Sequence, residues 1–154
     1  ARNGSDFGIA VAGYPEKHVE APDLKTDLAN LARKVQAGAD AVITQLFYDN
    51  ADYFAFVESA RALGVNVPII PGLLPILSAK QIARILSLCG SRLPADVQAE
   101  LDAAGDDAAK VEEIGIRQCI AQARELLANG APGIHFYVLN KSAHMTRIMR
   151  ELAL

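Results

Sequence analysis

Apolar positions along this chain change their period in a repeating order. Gly8-Ile9-Ala10-Val11-Ala12-Gly13-Tyr14 is a short run closed by Pro15, and its small residues predict a strand in crowded surroundings. After a loop from Pro15 to Pro22, Leu24, Leu28, Leu31 and Val35 recur at helical spacing, with Asp23 as the cap and Gly38 as the left-handed stop. Ala41-Val42-Ile43 then runs apolar like a strand buried on both faces in a parallel sheet, and the same strand carries Thr44 and Gln45. Asp49 or Asn50 caps a helix that buries Phe56, Val57, Ala60 and Leu63 and ends at Gly64. Val67 to Pro71 is a third strand, and Pro71-Gly72-Leu73-Leu74-Pro75 a stiff loop. Ser78-Ala79-Lys80-Gln81 reads as a capping box opening a helix through Ile82, Ile85, Leu86 and Cys89, stopped by Gly90.

The rhythm breaks between Gly90 and Gly130. Two helical patterns follow one another there, a short one near Pro94 to Leu101 and a longer one with Val111, Ile114, Cys119, Ile120, Ala123 and Leu127. A fourth strand, Gly133 to Val138, precedes a last helix that starts at Ser142 and places Met145, Ile148, Met149 and Leu152 on one face. Four strand-helix units, with extra helix inserted before the last strand, predict an α/β fold with a parallel sheet and right-handed crossovers. No Gly-x-Gly-x-x-Gly turn and no Gly-Lys-Ser/Thr loop marks a nucleotide-binding doubly wound sheet. The alternative is a barrel, of which four units make half. Its inner strand face then needs a cover: a missing amino-terminal half, a second copy of this chain, or rearrangement.

Composition narrows the picture. The 154 residues, 51% apolar and 21% charged, suit one domain over 1–154 with one core. A net charge of -3 with scattered basic residues argues against nucleic acid as a partner. The longest apolar run, Val67 to Leu77, is broken by Pro68, Pro71 and Pro75 and cannot cross a membrane as a helix. The first residues lack the apolar stretch of a secretory signal, and Cys89 and Cys119 read as reduced core residues; a cytoplasmic setting is expected. The acidic residues from Asp96 to Glu113 read as a solvated helical face. Gln45 is harder to dismiss. A buried amide without partners costs about 1 to 3 kcal/mol, so one at the carboxyl end of a strand is either bonded internally or aimed at a ligand.

Four motifs in order carry a family resemblance: Gly13-Tyr14-Pro15-Glu16-Lys17-His18; Ala37-Gly38-Ala39-Asp40 with Ile43-Thr44-Gln45-Leu46-Phe47-Tyr48-Asp49; Ile70-Pro71-Gly72-Leu73-Leu74-Pro75; and His135-Phe136-Tyr137-Val138-Leu139-Asn140. They resemble the carboxyl-terminal half of a bacterial methylenetetrahydrofolate reductase. The resemblance implies half of a (β/α)8 TIM barrel and a flavoprotein oxidoreductase of one-carbon metabolism. Such an enzyme passes a hydride from NADH or NADPH through FAD to 5,10-methylenetetrahydrofolate, giving the 5-methyltetrahydrofolate used in methionine synthesis. It also implies FAD contacts from Tyr14, His18, Ala21, Asp27, Asn30, Arg33 and Lys34, with charge for the diphosphate from Arg33 and Lys34. Asp27, Asn30 and Lys34 independently share one helical face, which the residues alone describe as a solvated stripe.

For the folate substrate, the resemblance implies contacts from Gln45, Gln81, Tyr137 and Lys141. Gln81 is equally a capping residue. His135 and Tyr137 are expected to alternate on the last strand, with Tyr137 the one facing inward. The chain departs from the family in carrying Ile85 where an aromatic can stand, which loses ring stacking, and Lys141 where an arginine can, which keeps the charge but loses the bidentate fork, so the resemblance supports substrate affinity less firmly than flavin binding. The family's general-acid glutamate and a second acidic residue belong to the other half of its barrel, so no catalytic residue falls in this chain and the chain alone is expected to be inactive. A homo-oligomer is expected. Two other readings fit the same residues: a non-catalytic half-barrel that pairs through its inner face, and an unrelated barrel enzyme for a phosphorylated small molecule.

Overall fold

The computed structural model describes residues 6–140 and 142–153. In chain order it has β1 (Ala10–Gly13), α1 (Leu24–Gln36), β2 (Ala41–Thr44), α2 (Asn50–Ala62), β3 (Ile69–Ile70) and β4 (Gly72–Leu73). Then come α3 (Ala79–Cys89), α4 (Ala95–Ala104), α5 (Ala108–Ala128), β5 (His135–Phe136) and α6 (Ser142–Leu152). The strands are short and parallel, in one sheet of order β1-β2-β3 and a second of order β4-β5. The described residues thus form an α/β fold with six helices.

Local chemistry sets the helix ends. Asp23 accepts from the Thr26 amide at 2.7 Å to open α1, Asp49 from the Ala51 amide at 2.9 Å to open α2, and Ser78 from the Gln81 amide at 3.4 Å to open α3. Asp49 is therefore the cap, and Asn50 lies inside the helix, buried. Gly38 and Gly90 take the left-handed conformations that end α1 and α3, with φ of 117° and 70°.

The third strand does not run as expected. Its pairing with β2 ends at Ile70, and the stretch expected as a stiff loop becomes β4; Pro71 is turned toward β5, its carbonyl accepting from the His135 amide at 2.9 Å, so its missing amide hydrogen takes nothing from the β2 ladder. Beyond the break, β4 pairs with β5, while the Gly72 amide stays tied to β2 through the Thr44 hydroxyl at 2.9 Å. That bond explains the fully buried Thr44.

Helices cover one face of the strands. Val42, Ile69, Leu31, Phe56, Ile116, Ala123 and Ile148 belong to the main core, and a second cluster of Leu46, Tyr48, Leu74, Ile76, Ile82, Val97, Leu101 and Val111 lies under the inserted helices. The other strand face is open. Ala12, Ile43 and Ile70 stand side by side in register, and all three are at least partly exposed. Several expected core positions differ. Leu24 and Leu63 are 42% and 45% exposed because each sits at a helix end, beyond the neighbour it would pack on. Leu126 replaces Leu127 on the buried face of α5. Cys119 is buried, but Cys89 is only half-buried; both are free thiols.

Candidate functional site

The β1–α1 loop folds back on α1 and makes an open cleft of about 340 Å³. Tyr14, His18, Ala21, Asp27, Asn30 and Lys34 line it, with Glu20 and Pro22. The loop is held from three sides. Asp27 Oδ2 accepts from the His18 amide at 2.8 Å, and Lys17 Nζ donates to the carbonyls of Ala21 at 2.6 Å and His18 at 3.1 Å. Those bonds stabilise Lys17 at a φ of 110°, a left-handed conformation that a side chain disfavours. The Tyr14 and His18 rings meet edge to face with centroids 4.6 Å apart.

Each polar group in the cleft has a definable capacity. His18 Nδ1 accepts from the Glu20 amide at 3.1 Å, so a neutral imidazole carries its proton on Nε2, where it can donate. Burial, reinforced by the Asp27 carboxylate and then by Cys89 and Glu20, raises the Tyr14 phenol above its ordinary range and keeps it a donor. Lys34 Nζ donates to the Ala12 carbonyl at 3.3 Å. The Ile9 and Gly13 carbonyls accept from the β2 side, so that of Ala12 faces the edge of β1 that no described strand pairs. An ammonium has three donors, and this bond uses one of them. Arg33 does not line the cleft; its guanidinium is bonded to Asn30 Oδ1 beside it. The cleft thus presents a cation, an imidazole N–H and a phenol O–H, a donor set suited to an anionic, hydrogen-bonding ligand. Glu16, one side of the same loop, accepts from the Arg92 amide and Nε at 3.0 and 3.1 Å, which pins the loop to the segment after α3.

The substrate positions divide. Gln45 lies one residue beyond β2, its amide donating to the Gly13 carbonyl at 2.7 Å. It continues the alternation of Ala41 and Ile43 on the open face, half-buried, and its Oε1 accepts from the Leu46 amide at 3.0 Å. Gln81 and Tyr137 line a narrow second cleft with Leu74, Leu77, His144 and Met145. The Tyr137 hydroxyl reaches the Thr44 carbonyl, so this cleft borders Gln45. Ile85 packs with the second core cluster. Lys141 lies outside the described residues. The expected alternation of His135 and Tyr137 is wrong: residues two apart in a strand share a face, and the two rings lie 4.7 Å apart, edge to face. Among the described residues no group of three metal-ligating side chains occurs, and no helix is long and apolar enough to cross a membrane.

The sequence alone marked Thr44 as a polar residue in a buried strand but not its bond to Gly72, and it did not single out Lys17 or the Glu16–Arg92 contact. Only the Glu16 of a quoted motif hinted at the last, because the partner is 76 residues away.

Comparison with known proteins bears on the whole stretch. A family model described as methylenetetrahydrofolate reductase matches residues 1–153. The methylenetetrahydrofolate reductase (NADH) 1 of Arabidopsis thaliana is 39% identical over 163 residues, covering all of this chain and 28% of that protein. The 5,10-methylenetetrahydrofolate reductase of Escherichia coli K12 is 38% identical over 138 residues, covering 90% of this chain and 47% of that one. The chain thus spans about a quarter of its plant relative and about half of its bacterial one. A solved structure of an uncharacterized protein from Clostridium thermocellum, which binds two copies of 5-methyl-5,6,7,8-tetrahydrofolic acid, superposes with a TM-score of 0.63 over 96% of this chain and 54% of that one. At 18% identity that likeness is one of fold.

Proposed function

The chain belongs to the methylenetetrahydrofolate reductase family, and from that premise we propose that it is the carboxyl-terminal half of a flavin-dependent reductase barrel. In this reading residues 1–154 supply four of eight parallel strands, counting β3 and β4 as one strand broken at Pro71, with α4 and part of α5 as the insertion before the last. The open face of Ala12, Ile43 and Ile70 is then the barrel interior, covered by an amino-terminal half or by a second copy of the chain. The reaction is reduction of 5,10-methylenetetrahydrofolate to 5-methyltetrahydrofolate with NADH or NADPH.

The observation that carries the reading is the convergence of Tyr14, His18, Ala21, Asp27, Asn30 and Lys34 on one cleft at the free edge of β1. Lys34, with Arg33 at its border, would neutralise the FAD diphosphate, His18 Nε2 would donate to it, and Asp27 would hold the loop that carries Tyr14 and His18. FAD supplies the hydride relay when bound. Gln45, able to donate and accept without titrating, would orient the folate and the nicotinamide in turn over the open face. Gln81 and Tyr137, which share the second cleft, would add folate contacts, and Lys141 is kept as a folate contact on the resemblance alone. Opening the folate bridge requires a general acid with a raised pKa, and the residues assigned here include none. The chain alone is therefore inactive, and activity returns with the other half.

The test is direct. The purified chain, with FAD added, is expected to show bound-flavin absorbance, and coexpression with the amino-terminal half of a bacterial relative is expected to give NADH or NADPH oxidation dependent on methylenetetrahydrofolate. A pair that holds flavin yet never oxidises either nucleotide would leave only a binding module.

A further inference from the structure

The chain leaves α3 through Gly90, Ser91 and Arg92, and this short segment reaches both loops assigned to ligands without lining either cleft. Ser91 Oγ donates to the Leu46 carbonyl at 3.0 Å, one residue beyond Gln45. Arg92 gives its backbone amide and its Nε to Glu16 Oε1 at 3.0 and 3.1 Å, and Glu16 stands two residues from Tyr14 and two from His18. The far end of the guanidinium lies 3.5 Å from Asp52 Oδ2 in the first turn of α2. Gly90 faces Val19 of the β1–α1 loop, whose Cγ1 would be 3.1 Å from a Cβ at that position.

The tie to Glu16 differs from an ordinary surface ion pair. The Arg92 side chain is 76% exposed, but that of Glu16 is only 9% exposed, and its Oε2 is buried without a donor. A carboxylate drawn that far from water depends on the charge and the bonds that reach it, and both bonds described for Glu16 come from Arg92. The next residue, Lys17, holds a φ of 110°, a conformation that persists only where its surroundings impose it. Asp27 fixes the loop to its own helix, whereas Arg92 fixes it to a segment 76 residues away. That segment also holds the residue after Gln45.

We propose that Ser91 and Arg92 are positioning residues, and that the segment they share sets the loop presenting Tyr14 and His18 against the strand end presenting Gln45. Its bearing on the reaction rests on the flavin reading above. Neither side chain lines a cleft, so each acts through another residue: Arg92 through Glu16, Ser91 through the Leu46 carbonyl. Two ligands that meet face to face need their binding groups at a fixed separation, because a misplacement of about 1 Å costs about 100-fold in rate. A β1–α1 loop tied to α1 alone would order without reference to β2. The shared segment makes the order of one loop depend on that of the other.

Amide hydrogen exchange, read by NMR on the chain without flavin, tests this coupling directly. Arg92→Met keeps the backbone amide and removes the guanidinium; it should speed exchange of the His18 and Ala21 amides about tenfold and, through the shared segment, that of Leu46 about threefold. Ser91→Ala should do the reverse, about tenfold at Leu46 and about threefold at His18 and Ala21. Amides in the middle of α5 keep their rates in both variants, which separates positioning from a general loss of stability. Effects confined to each variant's own loop, or equal at every amide, overturn the proposal. An FAD titration supplies the second readout: Arg92→Met should bind about fivefold more weakly, and Arg92→Lys, which keeps a cation beside Glu16, should fall between it and the unaltered chain. Equal FAD affinity in Arg92→Met and the unaltered chain also removes Arg92 from this role. An unaltered chain that takes up no FAD refutes the flavin reading instead, and the exchange pattern still decides whether the two loops are coupled.

Discussion

The Tyr137 hydroxyl donates to the Thr44 carbonyl at 2.9 Å, joining the last strand to the end of β2 across 93 residues. Gly72 lies between them: a Cβ there would stand 2.2 Å from the same carbonyl oxygen and 2.7 Å from Tyr137 Cε2. Tyr137→Phe should cost about 1 kcal/mol, one hydrogen bond in a half-buried setting. Gly72→Ala must push backbone aside and should cost about 3 kcal/mol. Urea unfolding ranks the two, and a Gly72→Ala chain with an unshifted midpoint would contradict this closure of β4 on β2.

Gly115 sits in the middle of α5, where alanine normally stabilises a helix by about 1 kcal/mol. Here the added Cβ would lie 1.8 Å from the Ile76 carbonyl oxygen, so the sign reverses. Gly115→Ala is expected to lower the thermal midpoint, because α5 must separate from the segment after β4 on which the second core cluster is built. A raised midpoint refutes the contact.

What was legible in the chain is what neighbours in sequence decide. Asp23, Ser78, Gly38 and Gly90 mark helix ends through bonds that span a few residues, and those ends fall where the pattern puts them. The polar face of α1 was visible as a stripe, but its meeting with Tyr14 and His18 depends on a loop held by Asp27 and Lys17. The break at Pro71 was hidden because a proline reads alike in a loop and between two strands; only the distant β5 makes β4 a strand. The Asn50–Glu125 pairing, 75 residues apart, leaves no trace in either local pattern.

Burial pushes the Cys119 thiol from 9.0 up to about 12. The folded state therefore holds this proton where the unfolded chain releases it. The resulting stabilisation is complete below pH 9 and is lost as pH rises toward 12, at about 1.4 kcal/mol per pH unit. Tyr48, also raised by burial, steepens the fall at the upper end. Unfolding free energy measured from pH 8 to 11 should decline, and Cys119→Ala should flatten the portion just above pH 9. Iodoacetamide at pH 8 should alkylate half-buried Cys89 well before Cys119.

Lys34 and Asp27 separate charge from loop order in the flavin reading. Lys34 is exposed and bonded only weakly to the Ala12 carbonyl, so Lys34→Met should leave the fold intact while removing one cation from the diphosphate. Solvent screening discounts such a pair to roughly 1.4 kcal/mol, about tenfold in FAD affinity, with a shallower dependence on salt. Asp27→Ala acts differently. It frees the His18 amide, unpins the loop that carries Tyr14 and His18, and should weaken FAD by a similar factor without changing the salt dependence. Asp27→Asn retains an acceptor and should fall between the two states of the loop. Flavin fluorescence titrations at two ionic strengths read all three variants, and identical salt slopes for Lys34→Met and the unaltered chain would remove Lys34 from the diphosphate.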